Sequence, residues 1–270
     1  MRLVWIEMRR ALHRRVTWAL IGLGLVGVVA AGVIAFTSSA GVDLARMQAE
    51  GQESPAVMRQ WWVAGSGNGL LLVAAFFLAM GGLIGGASVT GAEWRAGTVT
   101  TVLTWEPRRV RLHAARLAAC AALAVVVSFV LQALFLASFV PAVIAHGTAS
   151  GVDGAWWASL AAAMARISLL SGVATVVGAS LATLGRNTTA ALVAGWGWMA
   201  VGENLVRNFA PDLRPLLIGE NTSVLLTWAQ LEDSGFSRAP LVALATVTAY
   251  AAALAVVSGA RFRRHDIAGA

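Results

Sequence analysis

The residues best equipped for chemistry lie in one polar run, GAEWRAGTVTTVLTWEPRRVRLHAAR, at 91–116. It holds two carboxylates, five arginines and a histidine between two strongly apolar stretches. Such groups form ion pairs, meet lipid phosphate or dock on another protein. Gly91 and Gly97 bracket Glu93, Trp94, Arg95 and Ala96. AGTVTTVLTW then reads as a helix of about two turns. Pro107 stops it, because proline lacks the N–H and crowds the preceding turn. Arg108, Arg109, Arg111 and Arg116 lead into the next apolar run at the level of lipid phosphate. The expectation is a short helix parallel to a membrane, with a small, Thr-rich outward face suited to docking on protein. An ordinary charged loop needs arginines but not this helix or its Trp-Glu-Pro stop.

Other chemistry is sparse. His13, His113, His146 and His265 have no metal-ligand spacing. Neither H-E-x-x-H nor G-x-S-x-G occurs. All 20 basic side chains are arginine, so the chain cannot supply the lysine of a phosphate-binding P-loop. No catalytic, cofactor or metal residue is expected. Cys120 is alone in an apolar run and can make no intrachain disulfide. Arg166 and Glu203 lie near membrane depth, where ionisable groups are costly and mark function by default. They read either as interfacial anchors or a structural ion pair, or as an outer vestibule.

Composition sets the elements that must position these groups. The 270 residues are 58% hydrophobic and 12% charged, too apolar for one water-soluble core. An all-α membrane protein follows. Residues 1–16 predict an interfacial amphipathic helix, with Val4, Trp5, Met8 and Leu12 on the lipid face and Glu7, Arg10, His13 and Arg14 opposite. Six spans are expected at about 17–36, 69–89, 117–144, 167–184, 189–206 and 240–260. The first is too long for a signal-peptide core. Residues 261–270 form a tail. In the second span Gly81, Gly82, Gly85 and Gly86 form small-residue pairs four apart, which allow close helix approach. Trp61 and Trp62 read as interface markers. The 207–238 segment contains an amphiphilic stretch, LLIGENTSVLLTW, that could enter the outer leaflet.

Charge orients the bundle. With the N-terminus inside, the inner segments carry 14 arginines and four acids, and the outer segments five arginines and eight acids. That asymmetry follows the positive-inside rule and places both termini and the 91–116 run in the cytoplasm. The basic balance is thereby explained by topology, without nucleic acid.

E-W-R-A-G-T-x-x-x-x-L-T-W-E-P-R-R-x-R at 93–111 resembles the first cytoplasmic loop of permease subunits of type-2 ABC exporters. LGRNTTAAL at 184–192 is similar to that family's fourth-to-fifth turn. The 37–68 loop is longer than a minimal connection, and lysine is missing where relatives mix both bases. The resemblance implies a coupling helix seated in a separate ATPase. Glu93 would cap or ion-pair at its start beside Arg95, and Gly97 and Thr98 would open it. Val99, Thr100, Thr101, Val102, Leu103 and Thr104 would touch the ATPase. Pro107, Arg108, Arg109 and Arg111 would fix the return to the membrane.

The same resemblance implies two ATPase copies, which hold ATP and Mg, a second permease subunit, and the inner (cytoplasmic) membrane. It sets spans two and five along a central path. Gly81, Gly82, Gly85, Gly86, Trp196, Trp198 and Met199 would then suit a hydrophobic or amphipathic substrate, although the tryptophans equally fit a lipid-facing surface. The alternatives are an ATP-independent secondary carrier and a non-transporting assembly or sensor subunit.

Overall fold

The computed structural model describes residues 2–43, 46–47, 50, 52–64, 69–97, 108–229 and 238–264. Its elements are α1 (Arg2–Leu12), α2 (Arg15–Ser39), α3 (Leu70–Arg95), α4 (Arg109–Ala137), α5 (Val140–His146), α6 (Gly154–Gly185), α7 (Thr188–Gly197), α8 (Glu203–Phe209), α9 (Ile218–Thr227) and α10 (Pro240–Arg264). Among the described residues there is no β-strand beyond a single bridge between Val57 and Thr148. The chain is an all-helical, multi-pass membrane protein in architecture. Five helical segments are long and apolar enough to cross a bilayer: α2, α3, α4 with α5, α6 and α10.

Close contacts fix the direction of each helix. On α3 and α6, Gly82 meets Ser171, Gly86 meets Thr175 and Ala179, and the Ser171 hydroxyl donates to the Leu78 carbonyl at 3.0 Å. Positions rise together on both, so these helices run parallel. On α4 and α6 the order is reversed, with Gly172 on Ala121 and Gln132 donating to Ser168 at 2.9 Å. Likewise, α2 runs parallel to α4, through Gly24 on Leu131 and Gly32 on Ser138. Arg109 on Arg263 and His113 on Ser258, in opposite order, make α10 antiparallel to α4. One end of the bundle therefore gathers α1, Glu93, Arg116, Thr188 and the end of α10. The opposite end gathers Trp61, Trp62, Phe139, Trp156 and the start of α10.

The central helix is α6. In its most apolar window 61% of residues are buried, against 6% in α2. A methyl group at Gly82, Gly86 or Gly178 would overlap a backbone carbonyl of the facing helix. Glycine there lets the backbones approach more closely than any side chain allows. The buried hydroxyls of Thr175 and Thr183 are satisfied by carbonyls one turn back, at 2.8 and 2.9 Å. In lipid that local bond is the available one.

Several predicted elements are corrected. The second helix continues to Arg95 and α4 begins at Arg109, so 91–95 and 109–116 are helical rather than loop. In α6 the helix starts at Gly154, 13 residues before the predicted 167, because Asp153 accepts from the Trp156 amide at 2.7 Å and caps it. The predicted 189–206 span lies within one continuous run of helix, Thr188–Phe209, in which a five-residue π turn, Trp198–Gly202, joins α7 to α8. Gly202 leaves room for the Trp198 ring, which an added Cβ would meet at 2.7 Å. Trp61 and Trp62 are buried within the protein rather than facing lipid. The Trp61 indole donates to Pro55 at 2.8 Å and packs edge-on to Phe139 at 5.8 Å. On α1, Glu7 and Ala11 are buried against the bundle, so part of the predicted polar face meets protein, while Trp5 is exposed.

Candidate functional site: a buried charge junction beneath the 96–108 connection

At the end of the bundle that carries α1, three helices meet around two carboxylates. Glu7 on α1, Glu93 on α3 and Arg116 on α4 are 5%, 2% and 3% exposed. Arg116 reaches Glu93 at 2.6 Å and Glu7 at 3.5 Å. Arg10 bridges Glu7 at 2.7 Å and Glu93 at 3.4 Å. Arg14 pairs with the same Glu93 oxygen and donates to the Val89 carbonyl at 2.8 Å. Each carboxylate thus faces at least two guanidinium groups. A buried charge is tolerable only when paired and hydrogen-bonded in this way.

Local sequence builds the junction. Glu7 and Arg10 are three apart on α1 and share one face. The chain turns at His13 and Arg14, where the Thr17 hydroxyl donates to Ala11 at 2.7 Å, and this turns Arg14 back toward α3. Glu93 is one turn before the end of α3. Gly97 then adopts a φ of 64°, the left-handed conformation with which glycine ends helices. Gly97 therefore closes α3. Arg116 is not at lipid phosphate, as its neighbours suggested, but inside the junction.

A second layer ties in the remaining helix ends. Trp94 packs edge-on to Phe262 at 6.1 Å, and the Arg186 guanidinium covers Trp94 at 5.3 Å. Phe262 lies 5.8 Å from the His113 ring, whose Nε2 is 2.9 Å from the Ser258 hydroxyl. Arg109 donates to the Arg263 carbonyl at 3.4 Å. Gly91 touches Thr188, where Asn187 caps α7 by accepting from the Thr189 amide at 2.7 Å. Arg108, Arg109, Arg111 and Arg263 border an open depression of about 530 Å³. Arg95 is exposed. The predicted docking residues Thr98, Val99, Thr100, Thr101, Val102, Leu103, Thr104 and Pro107 lie outside the described residues.

The other predicted residues face different neighbours. Gly82 and Gly86 pack on α6; Gly85 touches Leu20 and Gly81 has open space. Trp196, Trp198 and Met199 are 44%, 47% and 37% exposed, with Trp196 edge-on to Phe76 at 6.4 Å. Arg166 and Glu203 do not meet. The buried Glu203 carboxylate accepts from the Gly219 amide at 2.9 Å and so caps the start of α9. Arg166 lies between Trp62 and Trp228.

Sequence reasoning singled out Glu93 but missed its partners, since Arg10 and Arg14 lie 83 and 79 positions away. It also missed Glu220, which pairs with Arg207 at 3.0 Å and Arg214 at 3.1 Å. The available clue was that Glu7 and Glu93 are two of only four acids in segments otherwise rich in arginine. No protein-family model and no curated protein matches the chain.

Proposed function

We propose that the chain is the permease subunit of an ATP-driven exporter of the type-2 ABC kind, with ATP hydrolysis supplied by two copies of a separate ATPase. The observation that carries this reading is the buried junction of Glu7, Glu93 and Arg116 directly beneath the 96–108 connection. A loop that only joins two spans needs no ionic lock at its base. A loop that must transmit force does, because displacement at its tip reaches α3, α4 and α1 only if its stem is stiff.

In this reading Thr188–Phe209 is a sixth crossing with a π turn in it, both described chain ends are cytoplasmic, and the membrane is the inner one. A second permease copy or a similar subunit covers the outward apolar surface of α7 and α8. The substrate is hydrophobic or amphipathic.

Purification of the full chain from its native membrane tests the proposal. The expected result is a co-eluting soluble protein with a P-loop and vanadate-sensitive ATP hydrolysis, together with substrate-dependent transport. Transport by the chain alone would replace this reading with a secondary carrier. A co-eluting ATPase without transport of any candidate would replace it with an assembly or sensor subunit.

A further inference from the structure

At the end of the bundle opposite Glu93, the Arg166 guanidinium is held between two indoles, 5.9 Å from Trp62 and 5.2 Å from Trp228. A guanidinium carries five N–H donors. Here one Nη reaches the Leu226 carbonyl at 3.4 Å, and Nε is sealed from solvent without an acceptor. Among the described residues no carboxylate pairs with it. The side chain remains half-buried, so part of it is open.

Trp228 adds an independent observation. It ends α9 at φ 54° and ψ 31°, a left-handed conformation that a bulky residue rarely adopts and that glycine would fill without strain. The backbone is held there with the indole over Arg166. Trp62 is fully buried beneath, and its carbonyl accepts from the Trp156 indole at 3.0 Å. The two aromatic walls are thus fixed by the fold.

Depth narrows the ligand. From Arg166 to the far end of α6 the helix rises about 28 Å, close to the ~30 Å hydrocarbon thickness of a bilayer. With the far end of α6 at one membrane boundary, Arg166 lies at the other, beside Trp62 and Trp228, at the level where tryptophan is enriched. A cation walled by aromatic faces and short of acceptors among the described residues fits an oxyanion, the group that guanidinium binds through paired N–H donors.

We propose that Arg166, Trp62 and Trp228 form a binding site for a phosphate-type oxyanion, the headgroup of an anionic phospholipid or a free phosphate. The site requires that α6 cross a membrane and does not depend on an ATPase partner.

Native mass spectrometry of the full chain, titrated with phosphatidylglycerol or phosphatidylcholine, tests this. Wild type should retain phosphatidylglycerol preferentially, and Arg166→Gln should lose roughly tenfold of that preference, the scale of one charge-assisted contact. Arg166→Lys should keep part of it, and Trp228→Ala should weaken it. Inorganic phosphate that displaces the lipid would identify a site for the free ion as well; failure to displace it would restrict the site to the lipid. Wild type with neither a preference for phosphatidylglycerol nor retention of inorganic phosphate would overturn the proposal, even if the variants fail to fold. So would folded Arg166→Gln with the wild-type preference.

Discussion

At the residue scale the junction rests on Glu93, since Arg10, Arg14 and Arg116 all converge on it. Glu93→Gln leaves the nearly buried Arg116 with only Glu7 at 3.5 Å. Removing one partner from a buried pair costs about 3–5 kcal/mol. The lower end applies here, because Arg10 and Arg14 are partly exposed and water takes over some of their charge. The expected outcome is a thermal midpoint in detergent lowered by several degrees, while Arg95→Gln, on the exposed side of the same turn, shifts it little. Equal midpoints for the two variants would remove the junction's structural role. Glu93 was legible in sequence because a carboxylate in an arginine-rich stretch must pair with something. Its main partner was not, since Arg116 stands in a row of arginines and spacing alone cannot tell an inward residue from one facing lipid phosphate.

At the element scale the tightest seam is between α3 and α6. Two glycine pairs four apart stand on α3, and sequence shows both without choosing between them. The structure selects Gly82 and Gly86, because Ser171 and Thr175 carbonyls lie where their side chains would be. Gly86→Ala must push two backbones apart, and overpacking of this kind costs about 1–3 kcal/mol. Gly81→Ala meets open space and gains helix propensity of up to ~1 kcal/mol. Midpoints measured in one detergent should therefore fall for the first variant and hold or rise for the second. Equal shifts would mean that the seam is loose. The helix ends were harder to read than the helices themselves. Hydropathy stops α3 near residue 89, but Glu93 is neutralised by its partners, so the helix continues to Arg95. Apolar content likewise hides the π turn, which depends on Gly202 making room for one indole.

At the scale of the whole molecule, helix directions and arginine placement are independent lines of argument about orientation. Contacts alone put Glu93, Arg186 and the end of α10 together. Under the positive-inside rule, the 14-to-5 arginine count predicts that end to be cytoplasmic. The crossing to be tested is Thr188–Phe209, which hydropathy treats as one span and the structure forms as continuous helix, ten and seven residues of α-helix joined by a five-residue π turn. Cysteine labelling on intact cells resolves it, because the native Cys120 is buried and gives a low background. A membrane-impermeant maleimide should reach Ser150→Cys and Asn208→Cys, both exposed at the end opposite Glu93, and spare Arg95→Cys and Arg264→Cys. If Asn208→Cys is spared while Ser150→Cys reacts, α7 and α8 do not cross. Then α10 would enter from the cytoplasm, against the Arg109–Arg263 and His113–Ser258 contacts that set it antiparallel to α4, and Arg264→Cys would become reactive. The pattern at Asn208 and Arg264 thus separates five crossings from six, and labelling of Arg95→Cys from outside would invert the molecule and remove any cytoplasmic ATPase from contact with the 96–108 connection.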